Sequence, residues 1–136
     1  PTPRTPSPAA PSPDDLRAAE ARRALDQCES ASRARRWSDA LDRCEEAVRL
    51  DSRNAHALTL LGEAAFATDD VRRAIGLLDR AVRLNSRSAR AWLALGGARQ
   101  DAGDRSGAAA AYRRYLELTP EGRRADEIRA VLEGLQ

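Results

Sequence analysis

Three stretches of the chain close on nearly the same phrase: Ala47-Val48-Arg49-Leu50-Asp51-Ser52, Ala81-Val82-Arg83-Leu84-Asn85-Ser86 and Tyr115-Leu116-Glu117-Leu118-Thr119-Pro120. The step from Leu50 to Leu84 is 84 − 50 = 34, and that from Leu84 to Leu118 is 118 − 84 = 34. Ala40, Ala74 and Ala108 keep that step, and so do Gly62 and Gly96. A fixed step over about residues 21–122 means that one supersecondary unit is repeated. Such a unit cannot bury its apolar face alone, so consecutive units must stack into a continuous core. Hydrophobic residues make up 42% of the chain and aromatics 4%, so that core rests mainly on Ala, Leu and Val. Small and straight-chain side chains of this kind favour helices.

The residues inside each unit add detail. The third unit carries Trp92, Leu95 and Gly96, then Ala108, Tyr112 and Pro120, with Arg99 in its first helix. The second carries Leu58, Leu61, Gly62 and Ala65, then Ala74, Leu78, Ala81 and Ser86. The first is the most divergent, with Ala24, Gln27, Cys28 and Ala31 followed by Ala40, Cys44, Ala47 and Ser52. Together these resemble the tetratricopeptide repeat family, whose pattern is Trp, two residues, Leu-Gly, two residues, Tyr, then Ala, three residues, Phe, then Pro, with a period equal to the step found here. Arg99 stands where the family has Tyr, and Ser52 and Ser86 stand where it has Pro. The resemblance implies an all-α fold, a right-handed α-solenoid of antiparallel helix pairs, with repeats at about 21–54, 55–88 and 89–122. Gly62 and Gly96 are expected where the two helices of a repeat approach closely, with Ala74 and Ala108 facing them.

The two ends read differently. Residues 1–13 hold six of the seven prolines among Thr, Ser and Ala, a composition suited to an extended spacer. A Pro-rich docking motif is the alternative reading of that segment. Residues 14–136 form the repeat domain. Ser12, Pro13, Asp14 and Asp15 make a strong helix start. Asp70 is expected to cap the helix that follows it, and Gly103-Asp104 to combine a left-handed helix end with a new cap. A closing helix is expected at about 121–134, with Ile128, Val131 and Leu132 covering the last repeat and charged residues on its other face.

Charge and chemistry exclude several roles. The net charge is +2, and acids are interspersed with the 23 basic residues throughout. All of the latter are Arg, which points to a GC-rich, bacterial coding sequence. A nucleic-acid-binding chain would show a one-sided basic excess, so no nucleic-acid partner is expected. No run approaches the ~20 apolar residues of a membrane span, so no direct membrane contact is expected. The single His rules out a multi-His metal site, Gly96-Gly97 reads as a helix-packing feature, and no catalytic constellation or cofactor site stands out. Enzymatic activity is therefore not expected of this chain. Cys28 and Cys44 fall about equally far from the turn of the first repeat and could face each other. Two buried, reduced thiols are the expected state, and a disulfide is the alternative. The cytoplasm is the expected compartment, with the periplasm as the alternative. The chain has no Met and opens on Pro1, so it is expected to be a segment of a longer or processed protein.

The expected function is to hold a partner protein or peptide. In the family resemblance, the first helices of the repeats make a concave wall. That wall would present Arg22, Leu25, Glu29 and Arg33, then His56, Thr59, Glu63 and Phe66, then Arg90, Leu93, Gly97 and Gln100, and finally Arg124 and Glu127. Arg22, His56, Arg90 and Arg124 are each one repeat apart and form a basic ladder suited to acidic groups on the partner. Glu29 and Glu63 form a shorter acidic row, and Phe66 an apolar anchor. An ordinary solvated face of mixed charge is the plain alternative. The family includes a subgroup that grips chaperone tails through Lys, Asn and Arg. At the matching places stand Leu25, Glu29, Leu60, Arg90 and Ala94, of which Arg90 alone fits, so a chaperone-tail clamp is not expected. Self-association, and service as a regulatory or recruiting appendage of a signalling enzyme such as a kinase, are the alternative roles.

Overall fold

The structure is a computed structural model, and it describes residues 2–136. Seven helices and no strand are found among the described residues: α1 (Pro13–Arg33), α2 (Trp37–Leu50), α3 (Ala55–Ala67), α4 (Val71–Leu84), α5 (Ala89–Asp101), α6 (Arg105–Leu118) and α7 (Arg123–Leu135). They form three antiparallel pairs, α1–α2, α3–α4 and α5–α6, followed by the closing helix α7. α1 packs on α3, and α3 on α5, whereas the backbones of α2, α4 and α6 pack only on helices adjacent in sequence, with the Arg73–Glu45 ion pair reaching from α4 to α2. The first helices of the pairs thus form an inner layer and the second helices an outer one. This is the all-α solenoid that the family resemblance implies.

Side-chain caps start five of the seven helices, all but α2 and α7. Ser12 and Asp15 close a reciprocal capping box at the start of α1, with Pro13 in its first turn. Asn54, Asp70, Ser88 and Asp104 each accept a backbone N–H in the first turn of the helix that follows. The turns inside the three pairs place Arg35, Asp69 and Gly103 in the left-handed region, at φ 55°, 69° and 81°. These positions are one repeat apart, since 69 − 35 = 34 and 103 − 69 = 34. Only the third uses Gly, the residue that adopts this conformation without steric cost.

Packing within each pair centres on one small–large contact. A Cβ built on Gly62 would lie 2.6 Å from Leu78 Cγ, and one on Gly96 would lie 2.5 Å from Tyr112 Cε1. Leu78 is fully buried and Tyr112 is 4% exposed. Both glycines are therefore required by close approach of the paired helices. In the first pair the same two positions hold Cys28 and Cys44, since 62 − 28 = 34 and 78 − 44 = 34. The structure joins them in a disulfide with a Cα–Cα distance of 4.6 Å, both residues fully buried. The reduced pair expected from sequence is thus replaced by the alternative. The physical reason is the close approach that Gly makes in the other two repeats, which brings the facing Cα atoms within disulfide reach. Gly62→Ala and Gly96→Ala should each lower stability by about 1–3 kcal/mol despite the better helix propensity of Ala. Urea unfolding of the two variants checks this, and unchanged midpoints would mean that the small–large contact carries no packing constraint.

The core runs between the two layers, from Ala24, Cys28 and Cys44 through Leu58, Leu61 and Leu78 to Leu95 and Ala98. Arg99, in the place where the family has Tyr, bridges the outer layer by donating to Asp79 at 2.8 Å and to the Gly107 carbonyl at 3.1 Å. A second cluster, Ala108, Ala109, Tyr112, Tyr115, Ile128 and Leu132, ties α6 to α7, and Trp92 packs against both clusters. The Trp92 indole N–H also donates to the Ser86 carbonyl at 2.8 Å, which fixes its ring at the turn before α5. Arg105 donates to the Gly134 carbonyl and Arg129 to that of Pro120, so the last turn of α7 is tied to α6 and its middle to the turn that precedes it.

Candidate functional site

The inner layer curves around a hollow of about 620 Å³. Its walls come from five places in the chain. Phe66 and Glu63 come from the end of α3, and Arg90, Leu93 and Gly97 from α5. Arg124 and Ile128 belong to α7, Arg35 to the turn of the first pair and Trp37 to the start of α2. Tyr112 reaches it from α6 across the notch at Gly97. Phe66 is 38% exposed, and Trp37 and Leu93 are half-buried, so the hollow offers apolar surface to a ligand.

The other expected wall residues distribute around this centre. Arg22 and Leu25 line a separate hollow at the amino-terminal edge, next to Ala47, Asp51 and Asn54. Glu29, Arg33, His56 and Arg90 surround a smaller cavity of about 180 Å³ over Leu60. Gln100 borders the carboxy-terminal edge, near Val131 and Leu135, and accepts the Tyr112 hydroxyl proton at 2.7 Å. Burial pushes the Tyr112 phenol above its usual pKa, so it stays a neutral donor there. Thr59 is a correction: it is 2% exposed, and its hydroxyl donates to the Ala55 carbonyl at 2.8 Å. The cause is that α3 packs against α1, α2, α4 and α5, which leaves that part of its surface covered.

The basic ladder and the acidic row are one system rather than two. His56 lies 3.1 Å from Glu29, and Arg90 makes two contacts with Glu63 at 2.7 and 2.8 Å. The forked hydrogen bonds that Arg90 donates to Glu63 hold its guanidinium above its ordinary pKa. Two rungs of the ladder therefore already face a carboxylate of the protein itself. Arg22 stands ahead of Glu29, the first member of the acidic row, and Arg124 contacts Glu127 on its own helix at 3.2 Å. Glu127 also takes Arg123, at 3.3 Å. Such exposed pairs contribute little, about 0–1 kcal/mol. Sequence reasoning did not bring Arg35, Trp37 and Tyr112 to this wall. The repeat step that places the ladder gives no direct signal for side chains arriving from a turn or from the outer layer.

No group of three or more His, Cys, Asp or Glu side chains is placed to hold a metal ion among the described residues. No helix described is long and apolar enough to cross a membrane.

Comparison with known proteins agrees with this architecture. The tetratricopeptide repeat profile matches residues 25–86 and again 65–123. Among curated proteins no significant relative is found. Among solved structures, the OM64 TPR domain of Arabidopsis superposes with a TM-score of 0.80 at 21% identity, covering 87% of this chain and 98% of that one. The first TPR of Spaghetti (RPAP3), bound to an HSP90 peptide, gives 0.78 at 24% identity, covering 86% and 94%. The O-GlcNAc transferase of Thermobaculum terrenum gives 0.74 at 27% identity over 80% of this chain and 21% of that one. With the profile spanning most of the residues, and the helix pairs, the inner-layer contacts and the glycine approaches all following the same step, the chain belongs to the tetratricopeptide repeat family.

Proposed function

We propose that this chain is a non-catalytic interaction module that holds a segment of a partner protein in its concave hollow. The observation that carries the reading is the exposed apolar surface of Phe66, beside Trp37 and Leu93, at the centre of a preformed wall edged by Arg35 and Arg124. Aromatic anchors in desolvated pockets supply most of the energy of such contacts, and a preformed wall loses little ordering entropy on binding. The peptide carried by the first TPR of Spaghetti supports the choice of ligand class. Residues 1–13 would act as a tether and residues 14–136 as the binding domain. The buried disulfide suits an oxidising compartment, so we favour the periplasm over the cytoplasm.

A second reading, an appendage that recruits substrates to an enzyme, draws support from the Thermobaculum terrenum transferase, where the similar region covers 21% of a larger chain. Both readings use the same hollow.

The test is capture of partners by the full chain, by a Phe66→Ala variant and by an outer-face variant, Arg73→Ala. Arg73 pairs with Glu45 on the outer helices at 2.6 Å, away from the hollow. Phe66→Ala should weaken the specific partner about tenfold or more, mainly through a faster off-rate. Arg73→Ala should leave it unchanged. The opposite pattern would move the binding site to the outer face.

A further inference from the structure

The inner wall repeats a contact between a basic side chain and a carboxylate that stops one step short. Glu29 pairs with His56 and Glu63 with Arg90, each across the seam between successive first helices. Both pairs share one spacing along the chain: 56 − 29 = 27 and 90 − 63 = 27. The next pair in the series would be residue 97 with Arg124, since 124 − 97 = 27, but residue 97 is Gly. Packing does not explain that glycine. A Cβ at Gly96 would strike the Tyr112 ring at 2.5 Å, whereas a Cβ at Gly97 would meet only the Tyr112 hydroxyl oxygen, at an ordinary 3.9 Å. Gly97 lies in the middle of α5 with a helical φ, where glycine is the least favourable residue after proline. Gly97 therefore leaves a notch beside the hollow, with Arg124 at its edge carrying a side chain 64% exposed.

Resting on the groove reading above, we infer that the partner completes the series. An Asp or Glu side chain of the bound segment takes the place that a carboxylate at residue 97 would hold, and pairs with Arg124. A bulky apolar side chain next to it in the segment enters the hollow over Phe66 and Leu93. The charge requirement is specific to this rung, because His56 and Arg90 already face carboxylates of the protein itself. Arg124 presents a planar fork that matches a carboxylate in two-point contact, while its present link to Glu127 is shared and solvent-exposed. The family's chaperone-tail positions do not supply this site, since they fall at Leu25, Glu29, Leu60, Arg90 and Ala94.

The test is selection of a random peptide library, fused at both ends so that no free chain terminus is displayed, on the full chain. The expected consensus holds an acidic residue beside a large apolar one. The selected peptide, made synthetically with blocked ends, should lose about tenfold or more in affinity for Arg124→Ala and for Gly97→Glu, which installs the missing carboxylate. Changing its acidic residue to the amide should cost the same against the native chain and little against Arg124→Ala, the signature of a direct pair. Gly97→Glu should fold at least as stably as the native chain, with a melting temperature raised by about 3 °C. That result separates lost binding from lost structure. Peptides that depend on Phe66 but are indifferent to residues 97 and 124 would keep the groove reading and overturn this one. A selection without an acidic consensus would overturn it as well. So would a dimer of the chain in solution that Gly97→Glu dissolves, because the notch would then belong to a second copy.

Discussion

Deleting residues 121–136 should cost the domain about 3–6 kcal/mol, the transfer free energy of two large apolar side chains, and leave it prone to association. The expectation follows from what α7 covers. Ile128 and Leu132 are 6% and 8% exposed, and burying side chains of this size contributes about 1.5–3 kcal/mol each. Their removal also uncovers Tyr115 and Ala109 on α6, which otherwise lie in the same cluster. Domains of this size have a total stability of about 5–15 kcal/mol, so the loss is a large share of the whole. The array is quasi-one-dimensional, and damage at its end should therefore fall mainly on the third repeat. Guanidinium unfolding of the truncated and full chains, with sedimentation to follow association, measures both effects. Equal stability and an unchanged monomer would show that the last repeat needs no cover.

Opening the Cys28–Cys44 bridge should cost about 3 kcal/mol. The two residues are 16 apart in sequence, and closing a loop of about that length lowers the entropy of the unfolded chain by that amount. Reductant should therefore lower the melting temperature of the native chain and leave bridge-free variants unmoved. Two variants separate the cross-link from the packing. Cys28→Ala with Cys44→Ala removes the bridge and leaves a small void. Cys28→Gly with Cys44→Leu also removes it, but restores the small–large contact that the second repeat builds from Gly62 and Leu78. The order of stability should be native, then the Gly–Leu variant, then the Ala–Ala variant. A native chain indifferent to reductant would show that the bridge contributes nothing to the folded state.

Most of the fold was legible in the sequence because the information was local or periodic. The caps at Ser12, Asp70 and Asp104 and the left-handed Gly103 depend on a few neighbouring residues. The close approaches at Gly62 and Gly96 follow from the repeat step. The site was legible in part. Repeat spacing placed Phe66, Arg90 and Arg124 on one wall, but not their electrostatic partners. Pairing Glu63 with Arg90 depends on how one repeat is set against the next, and a one-dimensional period carries no such offset. The burial of Thr59 and the arrival of Trp37 from the start of α2 depend on the same offset. Gly97 was read together with Gly96 as one packing feature, although their neighbours lie 3.9 and 2.5 Å away. Adjacent residues on a helix point about 100° apart, so a shared letter did not mean a shared role. The oxidation state of the two cysteines was undetermined because facing positions alone are compatible with thiols or a bridge.

The covalent bridge in the first repeat also sets how the domain would bear a load. Tension applied at the amino-terminal end enters through the Pro-rich segment and reaches the solenoid at Pro13, the first residue of α1. Leu16 and its neighbours in the first turns of that helix are exposed, so little resists their unwinding. Unwinding could travel from Pro13 as far as Cys28, where the chain is fastened to α2. Beyond that point the pull no longer peels one helix turn by turn. It must drag two antiparallel helices past the rest of the array together, which breaks many contacts at once. The first turns of α1 thus act as a compliant leader, and the sulfur bridge hands tension from Cys28 directly to Cys44, so that residues 29–43 carry none of it.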